Sequence, residues 1–244
     1  MQPDDVARRI RRLGFSEADV QRLADHFLAA EARGKHGHGF ARVEWLETLE
    51  LDPAARPVRE IQDEGFERWD GRGALGYLVL AEIVESTLAA PPKRARVVVA
   101  RRTFPTGMLG YWVRKLADGG LVAALTATSP PRLGHPHGGP KLAGTNPLAL
   151  AIASSDGRPI VSDVSMGAVT YGDVLAGLAD ESELVPFGGE QAHKAFALAL
   201  GLQVFVAALV GEEHGAVLVV ARPEHDPVPA LRELAAGLRL PGDS

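Results

Sequence analysis

Gly144-Thr145-Asn146-Pro147 leads straight into Leu148-Ala149-Leu150-Ala151-Ile152-Ala153, and after Ser154-Ser155-Asp156-Gly157 the chain resumes with Pro159-Ile160-Val161-Ser162-Asp163-Val164. Two short apolar runs around a turn of small polar residues read as strands. Upstream, Val97-Val98-Val99-Ala100 is a β-branched run, Leu109–Ala117 a short helix and Leu121–Thr126 another strand. Downstream, Met166–Leu178 reads as helix, Ala192–Val210 as a long buried helix, Ala216–Ala221 as a strand and Val228–Leu238 as a closing helix. The first third reads as helical. Ser16 is a candidate N-cap with Asp19 three residues on, and Val20, Leu23, Phe27 and Leu28 then mark an inward face. Phe40–Leu49 and Tyr77–Leu88 follow, the latter stopped by Pro91-Pro92. Loops of varied length separate the strands, and no Gly-x-Gly-x-x-Gly is read after a strand. The pattern is therefore a mixed α/β (α+β) chain rather than a standard doubly wound sheet.

With 244 residues, 46% hydrophobic and 23% charged, the chain has the composition of a soluble globular protein of one large or two intimate domains. A net charge of −5 and 6% aromatics give no case for nucleic acid or anionic lipid. The absence of cysteine excludes disulfides, thiol nucleophiles and thiolate metal sites. The polar, acidic Met1–Asp5 is unlike a signal peptide. Ala195–Val210 is apolar but shorter than the roughly 20 residues of a membrane span. The expectation is a cytoplasmic protein with no membrane partner.

Gly34-Lys35-His36-Gly37-His38-Gly39-Phe40-Ala41-Arg42 is the segment richest in chemistry. If a helix starts near His38, then His38 and Arg42 share one face a turn apart. The imidazole can move a proton near neutral pH, and the guanidinium can hold a carboxylate through two parallel hydrogen bonds. The plainer reading is a polar turn capping a helix. Ser162–Ala168 and Phe187–Lys194 read as helix N-termini suited to an anion, with Lys194 adding charge; ordinary caps are the plainer reading there too. His36/His38 and His135/His137 invite a metal, but alternate loop residues need not converge and no carboxylate is spaced to complete a site, so none is expected. There is no Gly-x-Ser-x-Gly elbow.

The ordered set of Gly37-His38-Gly39-x-x-Arg42, Ser129-Pro130-Pro131, Gly138-Gly139, Gly144-Thr145-Asn146-Pro147, Asp163-Val164-Ser165, Gly188-Gly189 and Leu240-Pro241-Gly242-Asp243 resembles the malate/L-lactate dehydrogenase family. That family is distinct from the Rossmann-type lactate dehydrogenases and includes ureidoglycolate dehydrogenase, 2,3-diketo-L-gulonate reductase and the Δ1-piperideine-2-carboxylate/Δ1-pyrroline-2-carboxylate reductases. The resemblance implies a largely antiparallel sheet domain binding NAD(P)H, over 96–191, and a helical dimerisation and substrate domain from 1–95 and 192–244. It implies a homodimer with the active site near the subunit interface. His38 matches the proton donor and Arg42 the substrate-side arginine. The matched cofactor contacts are Ser129, Gly144, Thr145, Asn146, the run Asp163, Val164, Ser165, Met166, Gly167 and Ala168, then His193, Lys194, Gly242 and Asp243. No metal is implied.

The implied reaction is hydride transfer to a small 2-oxo or cyclic 2-imino carboxylic acid. Three departures from the family pattern stand out: Pro105 where relatives carry a second histidine, Gly37 where a serine is usual, and Asp173 where a lysine is common. The chain is also shorter than typical members between Ala179 and Pro186 and in its N-terminal half. The alternative is a catalytically silent relative acting as a dimeric binding or partner subunit. A histidine-based metal protein comes third.

Overall fold

The computed structural model describes residues 2–211 and 213–243. Three helices come first, α1 (Pro3–Arg12), α2 (Glu17–Ala32) and α3 (Phe40–Leu46), with a 3-10 turn at His36–His38 before the third. Ser16 caps α2, its hydroxyl accepting the Asp19 N–H at 3.3 Å while donating to the Asp19 carboxylate at 2.7 Å. Next come β1 (Val58–Gln62), β2 (Phe66–Asp70), α4 (Gly76–Ala89), β3 (Ala95–Arg101), α5 (Leu109–Asp118) and β4 (Val122–Ala127). A small pair, β5 (Leu133–Gly134) and β6 (Lys141–Ala143), precedes β7 (Leu148–Ile152) and β8 (Ile160–Val164). The described chain closes with α6 (Tyr171–Leu175), α7 (Ala192–Val210), β9 (Gly215–Ala221) and α8 (Val228–Leu234).

Seven strands form one sheet in the order β1-β2-β3-β9-β4-β7-β8. Every neighbouring pair is antiparallel except β2 with β3. The late strand β9 lies between β3 and β4 and joins the two halves of the sheet. Period-two alternation sends successive side chains to opposite faces. Val98 and Leu218 pack with Trp112, Leu116 and Ile83 of α5 and α4 in the main core, whereas Val99 and Val217 face Val206 and Val210 of α7.

Several expectations need correcting. β1 and β2 were not anticipated in a first third read as helical. Their pattern is masked because β2 turns Glu67 and Asp70 inward, each about 1% exposed and paired with arginines (Glu67 with Arg96, Asp70 with Arg101 and Arg102). Once β2 is seen, Gly71-Arg72-Gly73-Ala74-Leu75-Gly76 is a Gly-x-Gly-x-x-Gly that does follow a strand and open a helix, and β3 returns parallel to β2. It is not a phosphate cradle. A Cβ on Gly71 would collide with the Arg102 carbonyl, and one on Gly76 with the Phe104–Pro105 backbone, so the space is filled by the chain itself.

The β1, β2 and β9 strands lie outside 96–191, so the sheet crosses the boundaries expected near 95 and 192. Met166–Thr170 is not helical: the N–H groups of Met166 and Ala168 donate to Thr145 and Val185 carbonyls, and the helix waits for Tyr171. The apolar α7 is only half-buried. Leu198, Val204, Phe205 and Leu209 are 53, 60, 51 and 43% exposed.

Candidate active site

The site begins where α2 ends. The Glu31 carboxylate accepts the Phe40 N–H at 3.0 Å and pairs with His36 Nδ1 at 2.5 Å, bracing the 36–40 turn. Gly39, at φ −95° and ψ −126°, separates the 3-10 turn from α3. His38 and Arg42 thus do not lie on one continuous helix, as expected, but on the turn and the following helix. The Arg42 Nε donates to the Gly37 carbonyl at 3.0 Å, which folds the side chain back over that turn. Its guanidinium lies 4.9 Å from the centre of the Trp45 ring and has no carboxylate partner among the described residues. His38 is half-buried, with Nδ1 buried and without a partner among the described residues. Burial, then the charges of Arg42 and Lys35, push its pKa down to about 3, so the ring is neutral at physiological pH.

A cavity of about 310 Å³ brings His38 and Arg42 together with Ser129, Thr145, Asp163 and Ser165 from the sheet side. That is near the lower end of roughly 300–1,000 Å³ for ligand pockets. Asp163 at the end of β8 accepts the Gly110 N–H at 2.7 Å, and burial raises its pKa. Gly144 backs the wall: a Cβ there would collide with the Ser129 hydroxyl.

The other expected contacts lie elsewhere. Asn146 is fully buried and pins α7, its Nδ2 donating to Ala199 O and Gln203 Oε1, each at 2.9 Å. The Gly144 N–H donates to that same Gln203 oxygen at 3.2 Å. Val164 is exposed, Met166 packs with Leu133 and Ala143, Gly167 bridges to Pro186, and the Ala168 N–H donates to the Val185 carbonyl. His193 and Lys194 are exposed in the first turn of α7, outside the cavity lining. Gly242 and Asp243 form a clasp: the Gly242 carbonyl accepts from Arg114 at 2.5 Å, and Asp243 pairs with Arg232 at 2.8 Å.

Nor is the N-terminus of α6 free for an anion, because a capping box already fills it. There the Asp173 carboxylate accepts the Thr170 N–H at 2.9 Å and its hydroxyl at 2.8 Å. Of the two histidine pairs, His36 is held by Glu31, and His135 Nδ1 accepts the His137 N–H at 3.1 Å.

Among the lining residues not expected from the sequence are Lys35, Arg132 and Tyr77. Lys35 sits inside the quoted motif, and Arg132 directly follows Ser129-Pro130-Pro131, so proximity was a usable signal for both. The Arg132 guanidinium lies 3.2 Å from the centre of the Tyr171 ring and has no ion-pair partner among the described residues. Tyr77, read only as the start of a helix, gave no such signal. Its ring meets His26 and Phe27 edge-on, with centroids 4.9 and 5.2 Å apart, and its hydroxyl is buried without a partner among the described residues. Leaving such a group unpaired costs about 1–3 kcal/mol.

A model of the malate/L-lactate dehydrogenase family matches residues 4–182. The chain is 30% identical over 233 residues to the Delta(1)-pyrroline-2-carboxylate/Delta(1)-piperideine-2-carboxylate reductase of Pseudomonas putida, spanning 82% of this chain and 67% of that protein. It is 27% identical over 174 residues to a malate dehydrogenase of Pyrococcus horikoshii, spanning 68% of this chain and 48% of that one. The chain thus aligns with about half to two thirds of the length of these curated relatives. The crystal structure of delta1-piperideine-2-carboxylate reductase from Pseudomonas syringae pv. tomato superposes with a TM-score of 0.83 at 25% identity, over 99% of this chain and 89% of that one. The malate dehydrogenase of Entamoeba histolytica shares the fold, with a TM-score of 0.80 at 18% identity over 99% of this chain and 85% of that one.

Proposed function

Because the chain belongs to the malate/L-lactate dehydrogenase family, whose members are NAD(P)-dependent dehydrogenases and reductases, we propose that it reduces a small 2-imino or 2-oxo carboxylic acid. One observation carries the reading: a guanidinium without a carboxylate partner among the described residues shares a cavity with a half-buried imidazole. Arg42 holds the substrate carboxylate through its planar fork. Hydroxyls at Ser129, Thr145 and Ser165, with the cation of Arg132, fit a dinucleotide, because they converge on one wall that a Gly144 side chain would obstruct. When bound, the reduced dinucleotide supplies a hydride to C2 of the acid.

The neutral state of His38 favours the imine. A cyclic imine that arrives protonated becomes an amine on gaining hydride and needs no further proton. A 2-oxo acid needs one on its oxygen, and burial first, then the Arg42 charge that a bound carboxylate would offset, opposes the protonation from which His38 would give it. Support for the imine also comes from the named reductase relative. The reading includes a homodimer, supported by the open apolar face of α7.

The test compares oxidation of NADH and NADPH with pyruvate and with Δ1-pyrroline-2-carboxylate. Arg42→Lys raises KM for both acids at least tenfold, because a point charge does not reproduce the fork. His38→Ala lowers kcat on pyruvate about 10²-fold or more and on the cyclic imine much less. An unchanged KM in Arg42→Lys removes the anchor, and equal losses on both substrates remove the imine preference.

A further inference from the structure

Tyr77 is a polar residue on the cavity wall that the reaction above leaves unused. It sits in the first turn of α4 and is 1% exposed. The aromatic ring is clamped. His26 and Phe27 hold it edge-on, and a Cβ on Gly107 would collide with both the Tyr77 and His26 rings. A clamped ring fixes the direction of its C–O bond, so the hydroxyl cannot swing toward a distant partner.

Neighbouring polar atoms bond to the same loop. The His26 Nε2 accepts the Met108 N–H at 3.0 Å, and the Trp112 Nε1 donates to the Thr106 carbonyl at 2.9 Å. Among the described residues the buried Tyr77 hydroxyl, like the His26 Nδ1, has nothing to bond, but of the two residues only Tyr77 lines the cavity that holds His38 and Arg42. Burial keeps the phenol in its neutral, proton-bearing form while the Arg42 charge acts on it from the substrate side. A polar atom fixed, buried and unpaired at a ligand cavity is a group whose partner arrives with the ligand.

We propose that Tyr77 is a further catalytic residue, its hydroxyl hydrogen-bonding the atom attached to C2 of the substrate. With a 2-oxo acid the phenol donates to the carbonyl oxygen. As hydride adds to C2, the π pair moves onto that oxygen and the hydrogen bond strengthens on the growing charge; the proton that completes the alcohol comes from His38. With a protonated cyclic imine the direction reverses, and the phenol oxygen accepts the N–H. Arg42 and Tyr77 together grip both ends of the C1–C2 unit, which orients C2 for hydride arrival. This inference rests on the reductase reading above.

Tyr77→Phe keeps the clamped ring and removes only the hydroxyl. The thermal midpoint holds or rises, because an unpaired buried group is lost. Dissociation constants for NADH and NADPH, read from nicotinamide fluorescence, stay within twofold. With the dinucleotide present, affinity for oxamate, a non-reducible mimic of a 2-oxo acid, falls about tenfold, and kcat falls on the order of 10²-fold. Oxamate binding and kcat within twofold of the parent overturn the assignment while the reductase reading stands. A midpoint that falls together with activity makes the hydroxyl structural and overturns it too. A parent protein that binds neither dinucleotide nor oxamate overturns the reductase reading, and this inference with it.

Discussion

Gly37 carries no side chain because there is no room for one. A Cβ there would lie 2.5–2.6 Å from the Asp173 carboxylate, the Asp173 nitrogen and the Gly172 carbonyl carbon. The contact is reciprocal, since a Cβ on Gly172 would meet the Gly37 carbonyl and Arg42 Nη2. Two facing glycines therefore let α6 rest directly on the turn that bears His38, in place of the serine the family resemblance leads one to expect. Restoring that serine should be unfavourable here. Gly37→Ser forces α6 outward at a cost of about 1–3 kcal/mol, as overpacking does. The thermal midpoint then falls by several degrees, given roughly 2–4 °C per kcal/mol at this chain length. An unchanged midpoint would show that α6 moves aside freely and that the glycine pair does not set its position. Arg42 and His38 were legible as residues because their spacing is a local property. Tyr77 was not, since only the return of the 104–108 loop brings a ring from α4 to the same cavity.

Among the elements, α7 shows most clearly what a sequence encodes and what it omits. Its length and apolarity were plain from Ala192 to Val210, but apolarity does not say what covers a face. One side, with Ala195, Ala199, Val206 and Val210, is buried against the sheet and is tied down by Asn146. Leu198, Phe205 and Leu209 form the other side at i, i+7 and i+11 spacing and stay open. The hairpin of β7 and β8 was legible for the opposite reason, because alternation and a polar turn are complete signals by themselves. The β1 and β2 strands were hidden because charged residues paired across the sheet occupy positions where apolar ones were sought. If the open face of α7 is covered by a second copy of the chain, sedimentation gives a two-chain mass. Phe205→Glu then places a charge in that contact and gives a one-chain mass with helix content retained. A one-chain mass for the parent protein would sink the dimer.

On the scale of the whole molecule, the site makes the protein sensitive to mild acid. The pKa values of His26 and His38 are both pushed down to about 3, chiefly by burial, against an ordinary 6.5. Between those values the unfolded chain holds protons that the folded chain refuses, so stability falls as pH drops below 6.5. Each histidine contributes up to about 1.4 kcal/mol per pH unit. The two together remove about 3–4 kcal/mol between pH 7 and 5, a large share of a typical 5–15 kcal/mol. Asp163 works the other way, because its raised pKa lets the folded chain take up a proton first. Asp226 and Asp243, with pKa values lowered to about 2 by hydrogen bonds from the Ser155 N–H and from Arg232 respectively, enter only below their ordinary 3.8. The histidines therefore own the window from pH 6.5 to about 4. Urea midpoints measured at pH 7, 6 and 5 should fall steadily at constant m-value, and His38→Gln, neutral at every pH, should remove up to about half of the slope, the rest coming from His26 and from His214, whose pKa burial also lowers. A parent midpoint that is level from pH 7 to 5 would mean that water or an acidic neighbour reaches both rings, and the neutral-imidazole argument for an imine substrate would fall with it.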